Sequence, residues 1–304
     1  MNWTPYYRGD GEARTDALPQ PPTWRLADPA SAAATFRPPE GLPEAVNAAL
    51  CLRRPLLLTG SPGTGKSTVA AAVAHELSLG PVLNWHVTSH STLTEALYRY
   101  DALGRLDATR RNEDDDIGRF LQLGPLGTAL MPWDRPRMLL VDEIDKSDID
   151  LPGDLLNVIE SGSFEIPELA RHPESDIDVR LWGSDATATI SKGIVPSTEF
   201  PFIVMTSNGE RIFPPPFLRR CIRFRMPEPA HGRLAGIVAA HLGEDAARDA
   251  AGVLAEFEAR ITRRESLATD QLLNAVHLVT GDLAPDDPLR ARLVDLLLDD
   301  LNAP

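Results

Sequence analysis

Short apolar runs alternate with helical patterns along the first three quarters of the chain. Strands that are buried on both faces read as short apolar runs, and strands that alternate with helices form parallel sheets. The pattern therefore predicts an α/β fold, in which helices flank a parallel sheet. The predicted strands lie at residues 56–59, 82–87, 138–141, 202–206 and 222–226.

The composition of the chain changes twice, near residue 43 and near residue 228. Residues 1–43 hold 8 of the 27 prolines and show little periodicity, which predicts an extended arm. Residues 44–228 carry the α/β pattern. Residues 229–304 are rich in Ala, Leu, Glu, Asp and Arg at helical spacing, so we expect a smaller, all-helical domain there. Its predicted helices cover about 230–242, 245–262, 268–280 and 287–301.

One Gly-rich segment, between a predicted strand and a predicted helix, matches the pattern G-x-x-x-x-G-K-S in full. Its glycines let the backbone N–H groups turn toward phosphate oxygens. Lys66 would add a positive charge, and the Ser67 hydroxyl is placed to ligate Mg²⁺. We therefore predict a site for nucleotide phosphates. Its residues are Gly60, Ser61, Pro62, Gly63, Thr64, Gly65, Lys66, Ser67 and Thr68.

An acidic pair follows the strand predicted at 138–141. Asp142 would hold Mg²⁺, through water, because this ion keeps several waters in its coordination shell. Glu143 could polarise an attacking water as a general base. An isolated Asp-Glu pair is more often a strand end that turns into solvent. The phosphate-binding pattern in the same chain is what favours a catalytic role here.

The net charge of −14 limits the partners that the chain can have. Binding to nucleic acids or to anionic membranes needs clustered Lys and Arg, and no basic stripe is present, so neither is expected. No apolar run approaches the roughly 18 residues of a membrane helix, and no secretory signal precedes the arm. Cys51 and Cys221 cannot form a disulfide framework, so we expect buried thiols and a cytoplasmic location.

The seven histidines form no pattern typical of a metal site. His86 and His90 are four residues apart, but His86 falls in a predicted strand, so the two would not share a helix face. We therefore expect structural or surface roles for both.

The phosphate-binding segment together with residues 140–143, Leu-Val-Asp-Glu, resembles the AAA+ ATPases. Residues 204–208, Val-Met-Thr-Ser-Asn, are similar to the sensor-1 strand of that family. The resemblance implies that the chain binds and hydrolyses ATP with Mg²⁺. It also implies that Asn208 reaches the γ-phosphate and orients the water that attacks it.

Residues 215–221 resemble the arginine-finger segment of the same family. An arginine finger neutralises charge that develops on the transferring phosphoryl group of a neighbouring subunit. The resemblance implies that Arg220 is the finger, with Arg219 as the alternative. It also implies assembly into a ring, for which we expect a hexamer.

Within this family the chain most resembles the MoxR group. In that group an insert and a hairpin, here about 89–133 and 163–200, face the ring pore or a client protein. The resemblance implies that the ring remodels a client, and that a partner with a von Willebrand factor A domain is plausible. The segments that carry the resemblance are 45–50, 98–101, 142–147 and 163–168.

One position departs from the family pattern. Gln271 stands where related enzymes carry the sensor-2 arginine, and an amide brings no charge to a phosphate. Arg263 or Arg264 could compensate. An ATP-gated signalling switch with slow turnover therefore stays open as an alternative, although Glu143 argues against it. A DNA-acting motor subunit is disfavoured by the acidic charge and by the lack of a DNA-binding module.

Overall fold

The computed structural model describes residues 7–13, 15, 17–18, 21–22, 33–228, 233–263, 267–280 and 288–299. The chain divides into two compact units. The α/β unit comprises residues 38–60 and 69–226, and the helical unit comprises the described residues of 1–37, 61–68 and 227–304. Part of the predicted N-terminal arm lies outside the described residues.

The α/β unit is built on a parallel sheet of five strands, all within the continuously described range 33–228. The strand order is β11-β1-β10-β5-β2, and β10 is buried at every position because sheet neighbours and helices cover it on all sides. The predicted α/β fold with a parallel sheet is confirmed. The strands are β1 (Leu56–Thr59), β2 (Leu83–His86), β5 (Met138–Asp142), β10 (Phe202–Ser207) and β11 (Ile222–Arg225).

A second sheet, of six strands within the same described range, joins the insert to the hairpin region. Its order is β3-β4-β7-β8-β9-β6, and the link between the two regions is the pairing of β4 with β7. One face packs on an apolar cluster that includes Leu121, Val179 and Ile190, and the other face is polar. The strands are β3 (Tyr98–Tyr100), β4 (Leu121–Leu123), β6 (Ser163–Glu165), β7 (Asp176–Arg180), β8 (Thr187–Ser191) and β9 (Ile194–Pro196).

Helices surround these sheets and make up the helical unit. Those before β11 are α1 (Leu42–Leu52), α2 (Lys66–Glu76), α3 (Leu93–Leu97), α4 (Ala102–Arg111), α5 (Pro125–Ala129), α6 (Leu151–Ser161), α7 (Pro167–Ala170) and α8 (Pro215–Leu218). Those after β11 are α9 (Arg233–Leu242), α10 (Glu244–Asp249), α11 (Ala251–Thr262), α12 (Thr269–Val279) and α13 (Pro288–Leu297). None of the helices in the described ranges is long and apolar enough to cross a membrane.

The helical unit has its own apolar core, which includes Leu234, Phe257 and Leu272. This core confirms the predicted C-terminal helical domain. The single helix that we predict over 245–262 is instead two helices, α10 and α11, divided at Ala250. No glycine or proline marks the division in residues 249–251, so the sequence carries no local signal for it.

The two cysteines lie in different environments. Cys221 is buried, and burial raises the pKa of its thiol to about 12, which keeps it protonated. Cys51 is exposed on α1, so the expectation that both thiols are buried is wrong for this residue.

Candidate functional site

The loop between β1 and α2 has the backbone that a phosphate-binding turn requires. Gly63 (φ 73°) and Gly65 (φ 81°) adopt left-handed conformations, which side chains other than glycine rarely tolerate. Two hydrogen bonds to the Ser61 carbonyl oxygen hold the turn, from the Thr64 hydroxyl at 2.9 Å and the Lys66 ammonium at 2.8 Å. The turn can therefore present successive N–H groups to an anion.

Lys66 is the first residue of α2 and is 7% exposed. Burial of an ammonium group costs free energy unless an acceptor or an opposite charge is near. Ser67 and Thr68 follow in the first turn of α2, and Ser67 is exposed. The positive charge and the hydroxyl are thus placed at a helix N-terminus, where an anion is favoured.

The rest of the helical unit also contacts this loop. A Cβ atom added to Gly63 would lie 2.5 Å from Cβ of Ala268 and 3.1 Å from the backbone nitrogen of Thr269, at the start of α12. The Ser61 hydroxyl donates to Glu228 at 3.4 Å. Gly63 is therefore required both for its left-handed backbone and for the close approach of α12.

Asp142 and Glu143 are held at the carboxyl end of β5 by one hydroxyl group. Thr206, on the neighbouring β10 and 1% exposed, donates its hydroxyl to Asp142 Oδ1 at 2.6 Å. The same oxygen accepts the backbone N–H of Glu143 at 2.9 Å. Glu143 has a left-handed backbone (φ 60°, ψ 47°), which costs free energy for a residue other than glycine. Such strained residues cluster at functional sites.

Three side chains surround the Glu143 carboxylate. Lys146 donates to Oε2 at 2.7 Å, and the side-chain nitrogen of Asn208 lies 3.4 Å from Oε1. His86 Nε2 lies 3.5 Å from Oε2. The hydrogen bond to Glu143 raises the pKa of Lys146, so this ammonium stays charged beside the carboxylate. The structure thus brings the predicted base and the predicted sensor, Asn208, together.

His86 is a site residue that the sequence analysis missed. It ends β2 directly opposite Asp142 in the parallel register, and its Nδ1 lies 3.9 Å from Asp142 Oδ2. The expectation of a purely structural or surface role is therefore wrong for His86. Its place depends on the pairing of β2 with β5, which no local pattern in the sequence specifies.

Asp145 is a second residue whose role emerges only in the structure. It is 6% exposed, and its Oδ2 accepts the backbone N–H groups of Asn208 at 2.9 Å and Glu210 at 3.1 Å. A charged acceptor for two N–H groups fixes the loop that follows β10. Asp145 therefore positions Asn208 without contacting the Glu143 carboxylate itself.

Arg220 and Arg219, the two candidate fingers, differ in their surroundings. Arg220 Nε lies 3.0 Å from Glu160 Oε1, and its guanidinium donates to Asn157 at 3.4 Å, so the side chain rests on α6. The Arg219 side chain is exposed, while its carbonyl oxygen accepts a hydrogen bond from Arg54. Arg220 is thus held by its own chain and Arg219 is not.

Both ends of the Gln271 amide are engaged within the helical unit. Its oxygen accepts the backbone N–H of Ala268 at 2.8 Å, which caps α12, and its nitrogen donates to the Asp299 carbonyl at 2.9 Å. Gln271 therefore has a structural role in this conformation. Arg263 is exposed at the end of α11, and Arg264 lies outside the described residues.

Residues 55–181 match the family of AAA domains of the dynein-related subfamily. The chain carries an AAA domain. The matched segment includes the phosphate-binding loop, β5 with Asp142 and Glu143, and most of the second sheet. The AAA domain is a nucleotide-binding domain, in agreement with the predicted loop. No protein of curated function matches the sequence.

Two solved structures are similar to the chain. NtrX from Brucella abortus in complex with ATP matches at a TM-score of 0.49 and 16% identity, over 92% of this chain and 59% of that chain. The same protein in complex with ADP matches at a TM-score of 0.42 and 16% identity, over 83% of this chain and 51% of that chain. The chain thus spans little more than half the length of these proteins.

Proposed function

We propose that this AAA domain binds ATP with Mg²⁺ and hydrolyses it. The observation that carries the proposal is the arrangement around Glu143. Its carboxylate stands at the carboxyl end of β5, fixed through Thr206 and approached by the Asn208 amide. A carboxylate placed to activate water is needed for hydrolysis and not for mere retention of ATP.

The phosphate-binding loop and the acidic pair would serve one nucleotide. The strands β1 and β5 are parallel members of one sheet, and the loop follows β1 directly in the chain. Backbone N–H groups of residues 60–65 and the Lys66 ammonium would bind the phosphates, and Ser67 and Asp142 would hold Mg²⁺. Oxygen donors of this kind suit the ion, which neutralises charge on the β- and γ-phosphates.

Hydrolysis requires one proton transfer to the protein. Glu143 takes the proton of the attacking water as that water bonds to the γ-phosphorus, and the bond from this phosphorus to ADP breaks. Asn208 orients the water. Lys146 and His86 must release the Glu143 carboxylate before it can act as a base. Their contacts give the protein a means of holding back hydrolysis until the nucleotide and a neighbour are in place.

The neighbour would be a second copy of the chain. We assign the arginine finger to Arg220, which must leave Glu160 to reach the site of the adjoining subunit in a ring, expected to be a hexamer. The MoxR resemblance extends the proposal to remodelling of a client protein, with a protein that carries a von Willebrand factor A domain as the expected partner, in the cytoplasm. The charge of −14 argues against nucleic acid or a membrane as the partner.

A nucleotide-gated switch is the second candidate function. Two observations favour it, namely the engagement of Gln271 within the helical unit and the contacts of Lys146 and His86 with Glu143. In such a protein, ATP would drive assembly and be turned over slowly. Phosphate release separates this candidate from the first.

Replacement of Lys66 by Ala tests nucleotide binding. The variant should bind a fluorescent ATP analogue at least about tenfold more weakly in a titration, because a charge-assisted contact to phosphate is lost. Lys192→Ala removes the same charge from an exposed turn and is the matched control. Equal binding by wild type and Lys66→Ala would remove the loop from the proposed site.

Replacement of Asp145 by Ala should lower kcat for ATP about tenfold or more while KM changes little, because Asn208 is no longer fixed for the transition state. Asp145→Asn keeps an oxygen acceptor for the Asn208 and Glu210 N–H groups and should restore most of kcat. Steady-state kinetics on both variants measures this. A purely structural role would instead lower the activities of both variants in proportion to the folded protein that remains.

A further inference from the structure

The polar face of the second sheet carries two arginines that no acidic group neutralises. Arg99 on β3 and Arg180 on β7 are both exposed. Among the residues that the structure describes, no carboxylate lies within ion-pair distance of either guanidinium. In a chain with a net charge of −14, most arginines have an acidic group within reach, and this pair stands out.

The strand register places the two arginines in one line across the sheet. Arg99 is directly opposite Gln122 of β4, and Gln122 is directly opposite Arg180. Residues that are register partners point to the same side of a sheet, and two strand spacings separate their Cα atoms by about 10 Å. We call Arg99, Gln122, Arg180 and Trp182 the arginine row.

Trp182 and Gln122 give the row a defined shape. The Arg99 guanidinium carbon lies 5.3 Å from the centre of the Trp182 ring, which restrains this long side chain. The Gln122 amide nitrogen donates to the Leu181 carbonyl at 3.2 Å, so its own carbonyl oxygen is turned away from that contact. The row is thus two charged forks on either side of an amide, with an aromatic ring at one end.

We propose that the arginine row is a docking surface for an acidic segment of a partner protein. A guanidinium group binds a carboxylate through two parallel hydrogen bonds, and a segment with two carboxylates about 10 Å apart would engage both arginines at once. The Trp182 ring would contact an apolar side chain of the same segment. Arginine and tryptophan are the residues that dominate binding free energies at protein interfaces.

The neighbourhood of the row favours a protein segment over a nucleic acid. Asp178 and Asp176 continue β7 on the same exposed face, where they accept hydrogen bonds from Thr189 and Ser191. A nucleic acid carries a charge at every nucleotide and would meet these carboxylates beyond the row. An acidic peptide can place its charges at the row alone.

This inference names the partner chemistry for the client-remodelling role proposed above and rests on it for its biological meaning. Binding itself requires no hydrolysis. A failure of docking and a failure of ATPase activity therefore appear in separate measurements.

Fluorescence anisotropy with a labelled polyglutamate peptide, on the full chain at low ionic strength, tests the proposal. We expect binding that salt weakens and that Arg99→Ala/Arg180→Ala weakens by about tenfold, as two exposed charge pairs are lost. The matched control is Arg110→Ala/Arg119→Ala, which removes two arginines of the insert that already pair with Asp107 and Asp114. This control should bind the peptide as wild type does.

Three outcomes would overturn the proposal. They are absence of polyglutamate binding by the wild type, equal losses in the two double variants, and tighter binding of labelled oligothymidylate that the row variant abolishes. The last would assign the row to a nucleic acid. Arg99→Lys/Arg180→Lys keeps the charge and should recover part of the binding, which separates a lost contact from a misfolded sheet. Phosphate release from ATP, measured in parallel, should be unchanged in the row variant.

Discussion

Replacing Glu143 with Gln should lower phosphate release from ATP by about 10²- to 10⁴-fold, the contribution of a well-placed general base. The amide cannot accept the proton of the attacking water. The backbone N–H of residue 143 still donates to Thr206, so the acidic end of β5 keeps its shape. Binding of ATP should therefore persist at wild-type strength, which a titration with a fluorescent ATP analogue measures beside the phosphate assay.

Glu165→Gln is the matched control for this substitution. Glu165 is exposed on β6, and the same chemical change there should leave both hydrolysis and binding unaltered. If Glu143→Gln hydrolysed ATP as fast as the control, Glu143 would not be the base. If it lost binding as well, the role of Glu143 would be structural.

Replacing Arg220 with Ala should lower hydrolysis by about 10³-fold or more, the effect of an arginine finger on phosphoryl transfer. Arg219→Ala is the matched control, because it removes the same group one position away and should retain most activity. Mixing provides the sharper readout. Arg220→Ala retains Glu143, and Glu143→Gln retains Arg220, so the two inactive variants should regain phosphate release when combined in one assembly.

The opposite pattern would correct the assignment. Loss of activity in Arg219→Ala alone would make the exposed Arg219 the finger and leave Arg220 as an anchor for α6 through Glu160. Failure of every mixture to recover activity would mean that no residue crosses between subunits.

The central sheet and the phosphate-binding loop could be predicted because their signals are local. Each strand of the parallel sheet is a short apolar run, since both of its faces are covered. The loop depends on glycines and a lysine that are adjacent in the sequence, and left-handed backbones at Gly63 and Gly65 follow from them. Asp142 and Glu143 follow directly from the end of one such strand.

The second sheet and the surroundings of Glu143 could not be predicted, because they depend on contacts between distant segments. The strands β3 and β4 have three residues each, too few for a periodicity to show, and β4 meets β7 only through Gln122 and Arg180. His86 and Asp145 become site residues through pairing with β5 and through the loop after β10. Their sequence neighbours give no sign of this.

The account depends most directly on a site that is completed between copies of the chain and that hydrolyses ATP. Phosphate release by wild-type protein, measured across a series of protein concentrations at saturating ATP, tests this in one experiment. We predict that activity per protomer is low in dilute protein, rises as copies assemble and then reaches a plateau. Binding of ATP with no phosphate release at any concentration would contradict the account.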